Sequence, residues 1–331
     1  MLFCAMQVLP PADLAGITFQ AATPTDLPRI AAFLSRAHPD SPVGTADLER
    51  ADSFRLPGEV FRRTLALRGS ELVGMAEVSV PRSENYPGWL VLEVAALPHE
   101  AAGDLPGVLL RLAEEYAVSQ GGTTLLARVK EHWPERALYE RAGYSEHDRL
   151  WPSTLDLRTL DFEAFAAEVA QAAATGVRLV PLSDFGPLDE PLQRRLYALI
   201  AALLRDVPSA TPIKVWPFEL WQQRYVPTLK HPEGLFLAVA PDGQWVGISE
   251  LHMPIPQRPG TLHNGLTGVL PDWRGQRLAL ALKLAAARAA LSRGFTQSRT
   301  SNHSINRPML AINERLGFVR EAAMVTVKKD V

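Results

Sequence analysis

The chain has 331 residues, 47% of them hydrophobic and 21% charged, with a formal net charge of −2. That is an ordinary soluble globular composition with enough apolar side chains for a sizeable core, and at about 150 residues per domain it predicts two domains. The near-neutral balance gives no field for nucleic acid or an anionic membrane, and the single cysteine, Cys4, excludes an internal disulfide and a Cys-rich zinc site.

The opening residues, MLFCAMQVLPPADL, are apolar but carry no basic stretch and reach Pro10-Pro11 after nine residues. That is short for a signal peptide and far short of a membrane span, so the expectation is a cytoplasmic protein without a membrane partner. Cys4, so near a terminus, is a poor candidate for a catalytic thiol. Ile17 to Gln20 reads as a first strand. Thr25 or Asp26 then caps a helix with an apolar stripe of Leu27, Ile30, Ala31 and Leu34. After a polar stretch with scattered Pro and Gly, VFRRTLALRG, ELVGMAEVSV and WLVLEVAAL alternate as strands, with Gly69-Ser70 as a hairpin turn. LPGVLLRLAEEYAVSQGG is a helix ended by Gly121-Gly122, TTLLARV a strand, WPERALYERAG a short helix and STLDLRTL a final strand.

The second half repeats that order. VRLVPL is a strand and PLDEPLQRRLYALIAALLRDV is helical past Pro191. LFLAVA, WVGISELHM and TLHNGLTGVL are strands, with Asp242-Gly243 as a hairpin turn. Gln276 to Arg293 is a helix, FTQSRTS a strand and RPMLAINERLG a short helix. In register, 173 residues separate Gly74 from Gly247, Pro98 from Pro271 and Gly121 from Gly294, and 174 separate Gly143 from Gly317. A near-constant offset across matching element types marks an internal repeat. The helical openings at Asp26 and Asp184 are only 158 apart, so the second copy has extra residues before its second strand, and WPFELWQQRY is the expected insertion. With DFEAFAAEVAQAAATG as a linking helix, the expected domains are 1–160 and 177–331, joined by 161–176.

Thr267 to Lys283, TGVLPDWRGQRLALALK, reads as a strand, a turn with two arginines and a glycine, and an Ala/Leu-rich helix. A helix N-terminus gathers free N–H groups and the positive end of the dipole, so it suits a phosphate-bearing ligand. Gly275 keeps the backbone approachable, and Arg274 and Arg277 add charge-assisted donors. This segment resembles the pyrophosphate loop, RxxGx(G/A), of the GNAT acyl-CoA N-acyltransferase superfamily, with Arg277 where the key glycine usually sits. The resemblance implies an α/β fold of two tandem GNAT-like domains, each a mixed, mostly antiparallel sheet flanked by helices. It also implies that Thr267, Gly268 and Val269 offer backbone groups to a pantetheine arm, while Arg274, Gly275, Gln276, Arg277, Leu278 and Ala279 cradle the pyrophosphate of acetyl-CoA.

TSNHSINRPMLAINERLGF is similar to the family's NxxAxxLYExLGF segment. Asn306 stands at its first asparagine, Met309 replaces the alanine, and Asn313 stands where a thiol-protonating tyrosine is common. A thiolate with a pKa of about 8.5 leaves tolerably without a strong acid, and Asn313 retains hydrogen-bonding capacity. Asn302 and Asn306 are further candidates for the cofactor, although helix capping explains asparagines of this kind as well. In the first copy the loop positions are occupied by Ala101, Ala102, Gly103, Asp104, Leu105 and Pro106. It has no arginine there and an acid at the helix start, which repels a pyrophosphate. The first copy is therefore expected to be degenerate, with Tyr139 structural.

An attacking amine must lose a proton, so a positioned acceptor is needed. Glu250 and His252 share one strand face, and a hairpin centred near Gln257 would set His252 opposite His263. Glu250 or His263 is the expected base. Two histidines alone do not make a metal site, so no metal is expected. The function implied is N-acetyl transfer from acetyl-CoA to a primary amine of a small molecule, without an acyl-enzyme. The alternatives are a non-catalytic acyl-CoA sensor and, by architectural analogy with mycothiol synthase, acetylation of a cysteinyl amine.

Overall fold

The computed structural model describes residues 14, 16–82, 86–211 and 213–331; the leader with Cys4 lies outside them. In chain order the elements are β1 Ile17–Ala21, α1 Leu27–Ala37, α2 Thr45–Ser53, β2 Phe61–Arg68, β3 Glu71–Ser79, β4 Trp89–Ala96, α3 Leu105–Ser119, β5 Thr124–Lys130, α4 Pro134–Arg141 and β6 Ser145–Asp156. The second series is α5 Ala166–Ala173, β7 Arg178–Pro181, α6 Glu190–Arg205, α7 Phe218–Tyr225, β8 Leu235–Val239, β9 Trp245–Pro254, β10 Thr261–Val269, α8 Leu278–Ser292, β11 Gln297–His303, α9 Arg307–Arg315, β12 Val319–Arg320 and β13 Met324–Asp330.

The offset of 173 holds at both ends of α3 and α8 and at both ends of β5 and β11. It also holds between the first residues of α2 and α7, which corrects one expectation. WPFELWQQRY is the counterpart of α2 rather than an insertion. The second copy's extra residues lengthen α6, 16 residues against 11 in α1, and the connections on either side of it.

Two compact units result, one of residues 1–147 with 324–331 and one of 148–323. They differ from the division expected at 160–176 because the last strands of the two copies are exchanged. In the first unit β13 pairs antiparallel with β5, from Met324 opposite Lys130 to Asp330 opposite Thr124. In the second unit β6 pairs antiparallel with β11, from Leu150 opposite His303 to Asp156 opposite Gln297. Each unit has a six-strand ladder, β1-β2-β3-β4-β5-β13 in one and β7-β8-β9-β10-β11-β6 in the other, with β12 also on β6. Within the two ladders only β4–β5 and β10–β11 are parallel, so both sheets are mixed and mostly antiparallel, as expected.

Helices cover both faces of the second sheet. On one face Leu280, Leu284 and Ala287 of α8 pack with Leu251 and Leu262. On the other, Leu196 and Ile200 of α6 and Trp221 of α7 pack with Leu235 and Ile248. Residues 280–284 of α8 are all buried, so this helix is enclosed almost all round. The repeated glycine has a packing reason. A Cβ at Gly74 would stand 2.8 Å from Leu109 of α3, and one at Gly247 would stand 3.2 Å from Leu282 of α8. At both positions an added side chain would crowd the helix packed against the sheet. Among the described residues no helix is long and apolar enough to cross a membrane.

Candidate functional site

The parallel ladder between β10 and β11 runs only from Thr261 opposite Gln297 to His263 opposite Arg299, although both strands continue. Beyond that point they part, leaving one edge of β10 from Asn264 to Val269 without a strand partner. The register of β10 on β9 also shifts there. Asn264 lies opposite Leu251 and Thr267 opposite Ser249, so Gly265 and Leu266 together face Glu250. One extra residue against the partner strand is a β-bulge. The copies locate it too: Trp89 and Thr261 begin their strands 172 residues apart, whereas Ala96 and Val269 end them 173 apart.

A groove of about 390 Å³ lies along this unpaired edge. Leu266, Thr267, Gly268 and Val269 form its floor, Leu203, Asp206 and Pro208 one wall, and Asn306, Met309, Ile312 and Arg315 the other. It ends at Arg274, Gly275, Arg277 and the first turn of α8. That turn has no side-chain cap and no acidic residue, so its leading N–H groups are open to a ligand. Arg277, the residue before the helix, has φ 62° and ψ 6° and is the one non-glycine residue with positive φ among the described residues. Left-handed backbone costs a non-glycine residue roughly 1 kcal/mol, the physical reason why the related loops prefer glycine there.

Of the residues assigned to the cofactor, Thr267, Gly268, Val269, Arg274, Gly275, Arg277, Leu278, Ala279 and Asn306 line the groove, while Gln276 and Asn302 do not. Arg274 is already engaged. Its Nε donates to the Val269 carbonyl at 3.0 Å and a terminal nitrogen to Asp206 at 2.6 Å, bracing the loop against the end of α6. Asn306 caps α9, its Oδ1 accepting from Met309 N at 3.4 Å. Asn313, buried on α9, donates through Nδ2 to Asn302 Oδ1 at 2.7 Å, and its own Oδ1 is buried without a partner.

Glu250 lies beneath the bulge, 5% exposed. One carboxylate oxygen accepts from Leu266 N at 2.8 Å and the other from the Tyr225 hydroxyl. A Cβ on Gly265 would stand 2.3 Å from that carboxylate, so the bulge and its glycine make the space that Glu250 occupies. Burial raises the Glu250 carboxyl above its ordinary value, against the lowering effect of the two donors. Tyr225 is driven well above its ordinary value by burial and by the Glu250 charge, so it stays protonated and donates.

The histidines are placed differently from the expectation. His263 faces Met253, one residue out of the predicted pairing with His252, and the bulge breaks the alternation after it. Burial and the Arg299 charge lower the His263 pKa. His252 is pushed down to about 4, chiefly by burial, and both its ring nitrogens are buried without partners. Among the described residues no group of three or more His, Cys, Asp or Glu side chains is placed to hold a metal ion.

The first unit lacks these features. Its β3–β4 pairing is unbroken, with Glu77, the counterpart of Glu250, opposite Glu93. Arg63 Nε donates to Glu77 at 2.6 Å. Glu93 keeps an exposed surface, yet protein packed around its carboxyl and then the Glu77 charge push it up to about 7. Asp104 precedes α3, and Pro106 removes one N–H from its first turn. Tyr139 is buried, its hydroxyl accepting from Val94 N at 3.1 Å.

Sequence reasoning missed the α6 contribution of Leu203 and Asp206, the Tyr225–Glu250 pair and the bulge. The one-residue change of offset within β10 was the available signal for the last.

Three comparisons bear on the family. The acetyltransferase (GNAT) family model matches residues 199–318. Among solved structures, a GCN5-related N-acetyltransferase from Sphaerobacter thermophilus is 19% identical with a TM-score of 0.73, covering 96% of each chain. A tandem GNAT protein from the clavulanic acid biosynthesis pathway is 20% identical with a TM-score of 0.70, covering 95% of this chain and 98% of the other. No curated protein matches the chain. Residues 199–318 therefore form a domain of the acetyltransferase (GNAT) family, within a chain that has the fold of tandem GNAT structures over nearly its whole length.

Proposed function

We propose that the second unit transfers an acetyl group from acetyl-CoA to the primary amine of a small molecule. The observation that carries the reading is the parting of β10 from β11 where the uncapped start of α8 opens into the groove. The residues fit an extended thiol cofactor with a phosphate end. The unpaired β10 edge offers backbone groups to an amide-bearing arm, and the first turn of α8 with its preceding loop offers N–H donors to a pyrophosphate. When bound, acetyl-CoA supplies an activated thioester.

The chain's own contribution is positioning and proton handling. The amine nitrogen forms a bond to the acyl carbon, the carbon–sulfur bond breaks, and the electron pair leaves with sulfur. The proton lost by nitrogen passes to the Tyr225 oxygen as the Tyr225 proton moves to Glu250, whose burial-raised pKa suits it to accept. Glu250 fits this role better than His263, which lies beside the cationic Arg299. Asn302 of β11 accepts a hydrogen bond from Asn313 of α9, whose own unpartnered Oδ1 offers an acceptor for a thiol.

The test is calorimetry with acetyl-CoA followed by thiol release over a panel of primary amines. Micromolar binding with turnover of at least one amine is expected. Binding without turnover across the panel would favour an acyl-CoA sensor, and absence of binding would remove both readings.

A further inference from the structure

Three arginines line the groove: Arg274, Arg277 and Arg315. Arg274 is held by Asp206 and the Val269 carbonyl, and Arg315 by Glu168 on α5. Arg277 donates no hydrogen bond among the described residues. Its charge is felt at Glu168, which places it on the same edge of the groove as Arg315. Glu168 pairs with Arg315 alone, which leaves the Arg277 guanidinium on the groove without an ion pair among the described residues. The chain also holds an arginine in left-handed backbone there, where glycine would be free of strain.

The chemistry of a coenzyme A sorts the donors. Its pyrophosphate suits a helix N-terminus, whose N–H groups surround a compact anion. Its 3′-phosphate is a monoester, carrying between one and two negative charges at neutral pH and presenting three oxygens, and a guanidinium fork matches it. Resting on the acyl-CoA reading above, we infer that Arg277, with Arg315 beside it, binds the 3′-phosphate of the acyl donor and makes the site selective for coenzyme A over its 3′-dephospho form. The groove's lip, separate from the pyrophosphate loop, then sets which donor is accepted.

The experiment titrates CoA and 3′-dephospho-CoA into the full-length protein and into Arg277→Gly, with binding read by calorimetry. Glycine suits φ 62°, so the variant keeps the loop's backbone, and its melting temperature should not fall. The native protein should bind CoA about 10- to 100-fold more tightly than dephospho-CoA, the worth of charge-assisted hydrogen bonds. Arg277→Gly should lose most of that preference by weakening CoA alone. Equal affinity of the native protein for both ligands overturns the inference and leaves the acyl-CoA reading standing. So does an equal loss for both in the variant, which places Arg277 on the pyrophosphate. Failure of either ligand to bind the native protein overturns the acyl-CoA reading and this inference together.

Discussion

Glu77 and Glu250 occupy the same position in the two copies, 173 residues apart, and their carboxylates are held by opposite means. Arg63 neutralises Glu77 at 2.6 Å, whereas Glu250 has no cationic partner among the described residues and is held by Leu266 N–H and the Tyr225 hydroxyl. A carboxylate fixed by a guanidinium is a poor proton acceptor; one that is buried among neutral donors keeps a raised pKa. The copy with the groove is the one whose glutamate fits the proposed role of base.

Glu250→Gln should therefore reduce kcat/KM for acetyl transfer by about 10²- to 10³-fold, with little change in acetyl-CoA affinity. On the proposed mechanism the deprotonated carboxylate is the active form, so activity should rise with pH through a pKa that burial lifts above the usual carboxylate range. The variant should lose that limb. Tyr225→Phe should show a smaller loss, since water can replace the hydroxyl. Rates over pH 5–9 for the three proteins check this, and an unchanged profile in Glu250→Gln would move the base elsewhere.

Gly265 offers a test that removes no polar group. Its Cβ would fall 2.3 Å from the Glu250 carboxylate and 3.3 Å from the Glu250 Cβ, so Gly265→Ala must push that side chain from its seat. The cost is overpacking of about 1–3 kcal/mol, together with loss of activity comparable to that of Glu250→Gln. Denaturant unfolding and acetyl-transfer rates measured on one preparation check it. Full activity would show that the position of Glu250 does not matter.

The repeat, the element order and the loop leading into α8 were legible because they rest on local signals: glycines at constant spacing, turn residues, and a loop running into an Ala/Leu helix. The parts that were hidden depend on pairing. β6 and β13 are equivalent strands of equivalent copies, and neither strand's pattern tells β5 from β11 as its neighbour, so the exchange cannot be read along the chain. The hairpin between β9 and β10 closes one residue out of the expected register, which undid the predicted pairing of His252 with His263. Tyr225 could not be linked to Glu250 along the chain because the two lie 25 positions apart in different elements.

Arg274 is a second case of a hidden partner, 68 residues from Asp206. As a free arginine it would be expected to grip the pyrophosphate, but here a carboxylate competes for the same guanidinium. Arg274→Ala should weaken acetyl-CoA binding by about 1.5 kcal/mol, the lower end for a hydrogen bond to a charged group. Asp206→Asn should do the reverse, tightening binding by about 2- to 5-fold at low salt, because it releases Arg274 and removes a negative charge from the groove wall. Calorimetry on both variants separates a brace from a phosphate ligand: if both substitutions weaken binding, Arg274 serves only to hold the loop.

Lys283 gives the sharpest statement about stability. It lies within α8, 5% exposed, its Nζ donating to Asn264 Oδ1 and its ammonium 5.4 Å from the Phe318 ring, and burial pushes its pKa down to about 7. In the unfolded chain the same amine titrates near 10.5, so between pH 7 and 10.5 the unfolded state holds a proton that the folded state does not. This group therefore makes the fold less stable as pH falls from 10.5 toward 7, and below 7 its contribution is level. Lys283→Met keeps the length of the side chain and removes the charge, leaving Asn264 its bond to the Glu250 carbonyl. At pH 7 it should stabilise the protein by about 2 kcal/mol after the lost hydrogen bond is counted, and the gain should shrink steadily toward pH 10. Urea unfolding of the native protein and the variant at four pH values gives the difference directly. A gain that stayed constant with pH would mean that Lys283 is charged in its buried seat.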